Sequence, residues 1–306
     1  MMNEVTKELL KTVSDLSYMP VGAYNIRENG ACSCRHCTEQ VEIISKEDKP
    51  GIDIIVKPNT LKETVYIPAI VTKSDVNDLV YNDFYIGEGA DVTIVAGCGV
   101  HTDGEGKSEH NGIHRFFLRK NSRVLYLEKH IGTGEGTGER VINPETYATL
   151  AENSYMEMDT VQIKGVDSTK RKTEAVLAEG AKIIVKEKLM THGRQYAETN
   201  FKVELNGQNS GADLISHSVA RDHSHQIFRS MMYGNAACNG HSECDAIIMD
   251  EATVSAIPEL TANHIDAALI HEAAIGKIAG EQLVKLMTLG LTEAEAEAKI
   301  IDGFLK

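Results

Sequence analysis

The chain has 306 residues, of which 42% are hydrophobic and 25% charged, and its formal net charge is −14. This length and apolar content suffice for about two average domains or one elongated body with a substantial core. The acidic balance excludes nucleic acid and anionic membrane surfaces as expected partners, because phosphate groups are bound by clustered Lys and Arg. No apolar stretch reaches the length of a membrane span, so we expect a cytoplasmic protein.

The N-terminal stretch MMNEVTKELLKTVSDLSYM predicts a helix. Apolar residues recur every three or four positions, at Val5, Leu9, Val13 and Leu16, with charged residues between them. This spacing is typical of an amphipathic helix and differs from the uninterrupted apolar region of a signal peptide. Because intracellular thiols stay reduced, we expect the six cysteines to be free thiols or metal ligands.

Three cysteines close to the N-terminus form a candidate metal site. Cys32, Cys34 and Cys37 have the spacing C-x-C-x-x-C. Three thiolates this close can bind one metal centre, and soft thiolates favour zinc or an iron–sulfur cluster. Three cysteines leave one corner of a 4Fe–4S cluster open, which suits a site that releases its cargo. The alternatives are a structural zinc site, which needs a fourth ligand, and redox-active or unliganded thiols.

Residues 50–265 are predicted to be almost entirely strands, because short alternating or β-branched runs are bounded by Gly, Asn, Asp and Ser. A small residue before such a run recurs at positions 89, 122, 154, 180 and 211. A spacing of about 30 residues is typical of a solenoid, in which each coil buries the face of its neighbour. A β-sandwich, which also has regularly spaced strands, is the alternative.

A group of histidines within the β region forms a second candidate metal site. The group contains His217, His223 and His225. In a strand, His223 and His225 would share a face and could bind one metal, whereas the adjacent Asp and Ser residues also favour a solvated turn. The remaining cysteines are expected to be small buried hydrophobes, and they are Cys98, Cys238 and Cys244.

The stretch ALIHEAAIGKIAGEQL, which begins at residue 268, is predicted to be helical. It contains the pair His271 and Glu272, as zinc proteases do, but the second histidine of that motif is replaced by Ile275. From the residues alone, Glu272 would favour a helix N-terminus through the helix dipole. The sequence therefore predicts no protease site here.

Two short helices are predicted at the C-terminus. Leu283 and Leu286 belong to an apolar face that ends at Gly290, a residue typical of helix C-caps. Thr292 and Glu295 have the spacing of a capping box and predict the start of the next helix. The apolar stripe on these helices is expected either to pack on the β region or to bind a partner.

The C-terminal segment, from Glu243 to Phe304, resembles the SufB/SufD family of iron–sulfur cluster assembly scaffolds. The matching positions are Cys244-Asp245-Ala246, Pro258, His271-Glu272-Ala273, Glu281-Gln282-Leu283, Gly290-Leu291 and Gly303-Phe304. Residues 87–98, GEGADVTIVAGC, are similar to another family segment, and the resemblance covers about residues 50–304. It implies a mainly β protein, with a right-handed parallel β-helix core at 50–265 between short α-helical segments at 1–49 and 266–306.

The resemblance also implies a site and partners. Cys244, His271 and Glu272 would hold a nascent cluster near an interface between two cores, with Cys244 and Glu272 as iron ligands. The helices at 266–306 would bind a SufC-like ABC-type ATPase, and a sulfur donor and apo-protein acceptors would be further partners. The chain resembles a minimal SufB-like member that works as a homodimer through the β-helix end. The family's mid-core cysteine, which receives sulfur, is replaced by Leu118.

The chain is therefore expected to be a non-enzymatic scaffold that builds a 4Fe–4S cluster while a partner hydrolyses ATP. It has no ATPase motif of its own, since the P-loop-like Gly106-Lys107-Ser108 lacks the required first glycine, at whose position His101 stands. The alternatives are a zinc-stabilised β-solenoid that only binds proteins and a β-helix carbohydrate-active enzyme.

Overall fold

Two parallel β-sheets, wound coil upon coil, form most of the protein. The structure is a computed structural model that describes residues 4–16 and 20–305. It is mainly β, a parallel β-helix of about eight turns with three short helices towards its ends. The predicted parallel β-helix is confirmed. The helices are α1 (Glu4–Ser14), α2 (Gly280–Met287) and α3 (Glu293–Phe304).

The strands alternate between the two sheets along the chain. The first half of the chain contains β1 (Ala23–Glu28), β2 (Ala31–His36), β3 (Val41–Ser45), β4 (Gly51–Val56), β5 (Leu61–Tyr66), β6 (Ala69–Val71), β7 (Asn77–Ile86), β8 (Asp91–His101), β9 (Ser108–Leu118), β10 (Arg123–Thr133), β11 (Arg140–Ile142) and β12 (Glu145–Leu150). The second half contains β13 (Tyr155–Lys164), β14 (Ser168–Leu177), β15 (Lys182–Thr191), β16 (Tyr196–Leu205), β17 (Gly211–Ala220), β18 (His225–Gly234), β19 (Cys238–Ile248), β20 (Thr253–Ala262) and β21 (Ala267–Gly276). Among the described residues, one sheet runs β2-β1-β5-β8-β10-β13-β15-β17-β19-β21 and the other β20-β18-β16-β14-β11-β9-β7-β4-β3.

The sequence repeat corresponds to successive coils of the first sheet. Asp91, Arg123, Tyr155, Lys182 and Gly211, which begin or nearly begin the predicted runs, are paired one after another in parallel register. A β-sandwich would have joined these runs through antiparallel neighbours. The solenoid interpretation of the repeat is therefore confirmed.

Each corner before these strands contains a residue with a left-handed backbone, at the small residue of the repeat or one to two residues before it. Gly89, Asn121, Asn153, Gly180 and Asn209 all have a positive φ, between 56° and 67°. Only Gly and, to a lesser extent, Asn adopt this left-handed conformation at low cost. Each coil therefore turns at a residue that tolerates the conformation, and the next strand starts in register.

A ladder of buried side chains fills the interior. Ile94, Tyr126, Met158, Val185 and Leu214 occupy equivalent inner positions in five neighbouring strands, and each is fully buried. Burying each large side chain contributes about 1.5–3 kcal/mol. In the two following strands the ladder becomes polar, because Ser242 and then His271 take the equivalent positions.

The N-terminal end of the solenoid is covered. Antiparallel pairs β1–β2 and β3–β4 close the two sheets there. Helix α1 buries Leu9 and Val13 against the outer side of the first sheet, where Gly97 permits close contact, since a Cβ atom there would lie 2.2 Å from the Val13 carbonyl oxygen. The predicted amphipathic helix is confirmed for residues 4–14; Leu16 lies beyond the end of the helix, and residues 1–3 and 17–19 of that prediction lie outside the described residues.

The C-terminal end has helices beside the solenoid. The predicted capping box is present, because Thr292 accepts a hydrogen bond from the Glu295 amide and the Glu295 side chain accepts one from the Thr292 amide. Gly290 has φ +96°, as expected after a helix end. Helix α3 buries Ile301 against Val219. None of the three described helices is long and apolar enough to cross a membrane.

The predicted helix at His271 and Glu272 is wrong. Both residues lie in β21, and helix α2 begins only at Gly280. The stretch is rich in Ala, which favours helices, but its pairing with β19 along the whole strand supplies the backbone hydrogen bonds of a further coil. Tertiary context therefore overrides local propensity.

Candidate functional site

The expected cluster ligands lie in the last two strands of the first sheet. Cys244 in β19 is opposite Ala273 in β21, whereas His271 and Glu272 are opposite Ser242 and Glu243. Successive side chains of a strand point to opposite faces. His271 therefore shares the inner face with Cys244, and Glu272 lies on the outer face beside Glu243.

The inner pair consists of a protonated thiol and an imidazole with a free nitrogen. Cys244 is 1% exposed. Burial, followed by the negative charges of Glu187 and Asp245, raises the pKa of its thiol to about 12. The Nδ1 atom of His271 is buried and has no hydrogen-bond partner among the described residues. An unpaired buried nitrogen is costly, and it is a donor that a metal ion can use. Metal binding would also remove the thiol proton.

An outer group lies on the other face of β19. In the described part of the chain, the one set of three or more His, Cys, Asp and Glu ligand atoms within 4.8 Å of one another is His217, Glu243 and Asp245. The Nε2 atom of His217 is 3.3 Å from Oε1 of Glu243. The His217 ring also stacks on Phe304 of α3, with centroids 5.2 Å apart. An imidazole with two carboxylates suits a divalent transition metal such as ferrous iron.

Sequence reasoning identified His217 but not its two partners. Asp245 pairs with His217 in the parallel register of β17 and β19, one coil later in the chain. Glu243 and Asp245 flank Cys244 in the sequence. This alternation of carboxylates with a thiol was the signal from which the two partners could have been predicted. The other two histidines of the predicted group lie elsewhere: His223 is 3.1 Å from Glu251, and His225 is hydrogen-bonded to a threonine.

The N-terminal cysteines lie at the opposite end of the solenoid. In β2, Cys32 pairs with Arg27 and Cys34 with Ile26 of β1, and the register shifts between these two pairs. The Cys32 thiol is 3.3 Å from the Asn25 side-chain oxygen, and Cys34 instead packs with the α1 cluster. The sulfur of the third cysteine, Cys37, accepts a hydrogen bond from a backbone amide.

The two groups of cysteines are thus separate within one chain. Strands β2 and β19 are eight inter-strand steps apart in the same sheet, which is roughly 40 Å. In the described residues, the sulfurs of Cys32, Cys34 and Cys37 do not form a group within 4.8 Å. Joining them on one centre would require a rearrangement of β2.

A buried polar network occupies the interior between these ends, and the sequence analysis did not predict it. The Arg171 guanidinium donates to Glu128 at 2.5 Å and lies 3.4 Å from Glu187, which also accepts from Ser216 at 2.8 Å. Burial opposes ionisation of Glu128, but the Arg171 charge holds its pKa well below the usual range. Ser216 is the register neighbour of Cys244, so the network reaches the inner pair.

Comparison with known proteins identifies the family. Residues 76–304 match the family described as "SUF system FeS cluster assembly, SufBD core domain". The chain belongs to the SufBD family. A relative from Archaeoglobus fulgidus, named an iron–sulfur cluster assembly SufBD family protein, is 28% identical over 270 residues, which cover 88% of this chain and 71% of that protein. The SufBD relative from Methanocaldococcus jannaschii is 25% identical over 82% of this chain and 79% of its own length.

Other SufBD relatives are longer than the matched region. The protein of the same name from Methanothermobacter thermautotrophicus strain Delta H is 29% identical over 71% of this chain, but the match spans about half (53%) of that protein. The family model covers the coils from β7 onwards and both C-terminal helices. The N-terminal cysteines lie before it, whereas the inner pair and the outer group lie within it.

Proposed function

We propose that this SufBD protein is a scaffold on which an iron–sulfur cluster, of the 4Fe–4S type, is built and then released. The observation that carries the proposal is the inner pair: a cysteine thiol and an unpartnered buried imidazole nitrogen face the same space at the last coil. Thiolate binds iron firmly, and imidazole is a weaker ligand that an acceptor can displace. Iron and sulfide are substrates in this process.

The carboxylates of the outer group would supply iron to β19, the strand that also contains Cys244. The outer group of His217, Glu243 and Asp245 has donors suited to ferrous iron, and Glu272 extends it, since it lies beside Glu243. The N-terminal cysteines, Cys32, Cys34 and Cys37, would form a second cluster-binding location. Their distance from Cys244 favours two sites in one chain.

A homodimer through the C-terminal end of the solenoid is the second part of the proposal. In the described part of the chain, strands β20 and β21 are the last in their sheets, so their outer edges have backbone groups that no further described strand pairs. Five large apolar side chains on or between these strands are exposed: Ile257, Leu260, Ile265, Ile270 and Ile275. A second copy would cover this surface and place two copies of Cys244 and His271 at one two-fold interface.

Helix α2 supports a further partner, a SufC-like ABC-type ATPase. None of its residues is buried, and Val284, Met287 and the following Leu289 are exposed. The His217–Phe304 stacking joins the adjacent α3 to the outer group, so movement of these helices by an ATPase would reach the metal ligands.

In a pull-down assay, Leu289→Asp should abolish binding of the ATPase, whereas Val176→Asp, on the side of the solenoid, should retain it. Equal binding by both variants would contradict docking at α2.

The decisive test is the iron and acid-labile sulfide content after anaerobic reconstitution. Wild type should bind about four iron and four sulfide per cluster. The Cys244→Ser variant should lose most of the iron and sulfide that are bound at the inner pair. Cys238→Ser is the matched control, because it removes another buried inner cysteine of β19. A triple Ser variant at Cys32, Cys34 and Cys37 tests the second location.

The outcomes separate the possible functions. Zinc without iron would favour a zinc-stabilised solenoid that only binds proteins. Equal iron and sulfide in wild type, Cys244→Ser and Cys238→Ser would remove the inner pair from the proposed function. A cluster lost in the triple variant alone would place assembly at the N-terminal end.

A further inference from the structure

A cavity of about 270 Å³ lies at the N-terminal end of the solenoid, far from the inner pair. It is lined by the β1–β2 hairpin, by the segment that leads into β4, and by buried residues of β7 and β9. Most of this lining precedes residue 76, where the match to the family begins. Neither the inner pair nor the proposed dimer uses this cavity.

A directed chain of hydrogen bonds joins the interior network to this cavity. Glu128 is ionised beside Arg171, so its carboxylate only accepts hydrogen bonds, and the Tyr126 hydroxyl donates to it at 2.8 Å. Because this donation uses the single hydroxyl proton, the Tyr126 oxygen accepts from Nδ1 of His114, 2.7 Å away. Burial lowers the pKa of His114 to about 4, so the ring is neutral at pH 7 and its Nε2 carries no proton. That nitrogen therefore accepts from Nδ2 of Asn82, at 3.2 Å.

This chain fixes the orientation of the Asn82 amide. Its nitrogen must donate to His114, so the amide cannot turn round to offer its oxygen there instead. Asn82 is 6% exposed and lines the cavity, and its Oδ1 atom is buried without a hydrogen-bond partner among the described residues. A buried carbonyl oxygen without a partner is satisfied when a bound molecule donates a hydrogen bond to it. The cavity therefore favours a ligand that has an O–H or N–H donor.

The lining of the cavity is cationic in a strongly acidic chain. Arg27, Arg35, Lys46 and Lys49 belong to it, and its described part contains no Asp or Glu. Aspartates outside the lining pair with Arg27 and Lys46, and an exposed aspartate lies 3.7 Å from Lys49. Within the described residues, Arg35 is held by neutral groups, the Asn25 side-chain oxygen at 2.8 Å and a backbone carbonyl. Such a guanidinium retains its attraction for a carboxylate.

We propose that this cavity binds a small hydroxycarboxylate, whose carboxylates pair with Arg35 and Lys49 and whose hydroxyl donates to the carbonyl oxygen of Asn82. An amino acid also has a donor, but its ammonium group would lie among the like charges of the lining. The lining includes apolar side chains such as Ile52 and Val80, which suit a carbon skeleton better than inorganic phosphate. Drug-sized ligands occupy pockets of about 300–1,000 Å³, so this cavity fits a smaller molecule.

Ligand binding would also cover one of the N-terminal cysteines. Cys32 is exposed and lines the cavity, three positions before Arg35 in β2. A carboxylate bound to Arg35 would therefore restrict access of an alkylating reagent to the Cys32 thiol. Cys37 is also exposed but does not belong to the lining, so it is the matched control.

The test is calorimetric titration of iron-free, reduced wild type with two pairs of acids that differ by one hydroxyl group. The pairs are malate with succinate and citrate with tricarballylate. We expect at least one hydroxy acid to bind at least about tenfold more tightly than its partner, because only the hydroxyl satisfies the buried oxygen. The same acid should slow the alkylation of Cys32 by iodoacetamide and leave that of Cys37 unchanged.

Variants separate the two contacts. Asn82→Ala should remove the difference in affinity between the hydroxy acid and its partner. Arg35→Gln should weaken the binding of both at least about tenfold, because it removes the cation that they share. Arg119→Gln is the matched control and should bind as wild type does, since Arg119 is exposed at a corner outside the lining.

The wild-type measurements decide the inference even if a variant fails to fold. Absence of binding, or equal binding of the two acids within both pairs, would overturn it. Binding that leaves the alkylation of Cys32 unchanged would place the ligand elsewhere and would also overturn it. Inorganic phosphate is the last probe: phosphate bound as tightly as the hydroxy acid would mean attraction of any anion, without recognition by Asn82.

Discussion

Cys244 and His271 lie on the same inner face of two neighbouring strands, at the end of the solenoid where the described residues form no further coil. His271 occupies the position that Leu214 and Val185 occupy in earlier coils, where the side chains are apolar and fully buried. A polar residue with an unpaired nitrogen thus replaces the hydrophobic ladder where the ladder ends. This change explains why cluster binding and pairing with a second copy are expected at the same end.

The first prediction concerns this pairing. Ile270→Asp should convert a dimer into a monomer, because Ile270 is 55% exposed on the terminal strand β21 and would place a charge in the interface. Sedimentation equilibrium should show a dimer dissociation constant at least about tenfold higher than that of wild type. Val176→Asp is the control, since Val176 is 41% exposed on β14 in the middle of the solenoid. Dimers of equal strength in both variants would place the interface elsewhere.

The second prediction concerns the outer group. His217→Gln should weaken Co²⁺ binding, followed by visible absorption as a substitute for ferrous iron, at least about tenfold. His241→Gln is a matched control on the same face, because His241 is similarly exposed but pairs with Asp213 alone, at 2.8 Å. Equal Co²⁺ affinity in the two variants would mean that the outer group is an ion pair without a metal function.

The fold was predictable because every coil of the solenoid repeats the same local sequence pattern. Each coil needs a turn residue with a positive φ followed by an alternating strand, and both leave a mark in the sequence, as at Gly89 and Asn121. The strand containing His271 was not predictable from its composition. Its Ala, Leu and Glu residues favour a helix, and only the stacking on β19 decides otherwise.

The site residues were predictable where a motif was local and missed where coils bring residues together. Cys244 and His271 were found through a family resemblance, whereas Glu243 and Asp245 were missed as partners of His217. Asp245, the register neighbour of His217, is one coil later in the chain, so the repeat length was the available signal. The buried pair of Arg171 and Glu128 was missed for the same reason, because the two residues lie on different sheets and are brought together only by the fold.

The third prediction concerns pH. Burial, assisted by the charges of nearby cations including His110, lowers the pKa of His114 to about 4, while Glu128 opposes the shift. In the unfolded chain His114 binds a proton near pH 6.5. Between pH 6.5 and 4 this residue is therefore protonated more often in the unfolded chain than in the folded chain. This contribution to stability is therefore present above pH 6.5 and is lost as the pH falls, by about 3 kcal/mol at pH 4.

The measurement is the free energy of unfolding in urea at several pH values. His114→Gln should remove this part of the pH dependence and leave a flatter profile between pH 4 and 6.5. His223→Gln, which alters an exposed histidine in a turn, is the control and should retain the slope. A wild-type slope in His114→Gln would mean that other groups cause the acid sensitivity.

The last prediction concerns the interior charges. Arg171→Met should lower the free energy of unfolding by about 3–5 kcal/mol, because the buried Glu187 would lose its cation and the buried Glu128 would retain only His130, 3.4 Å away. Lys120→Met removes an exposed partner of Glu152 and should leave the free energy of unfolding almost unchanged. Adding Glu128→Gln to Arg171→Met should recover part of the lost free energy of unfolding, because it removes the buried negative charge of Glu128. Equal losses for Arg171→Met and Lys120→Met in urea unfolding would show that the interior network is hydrated, and the pairs would then contribute as surface pairs do.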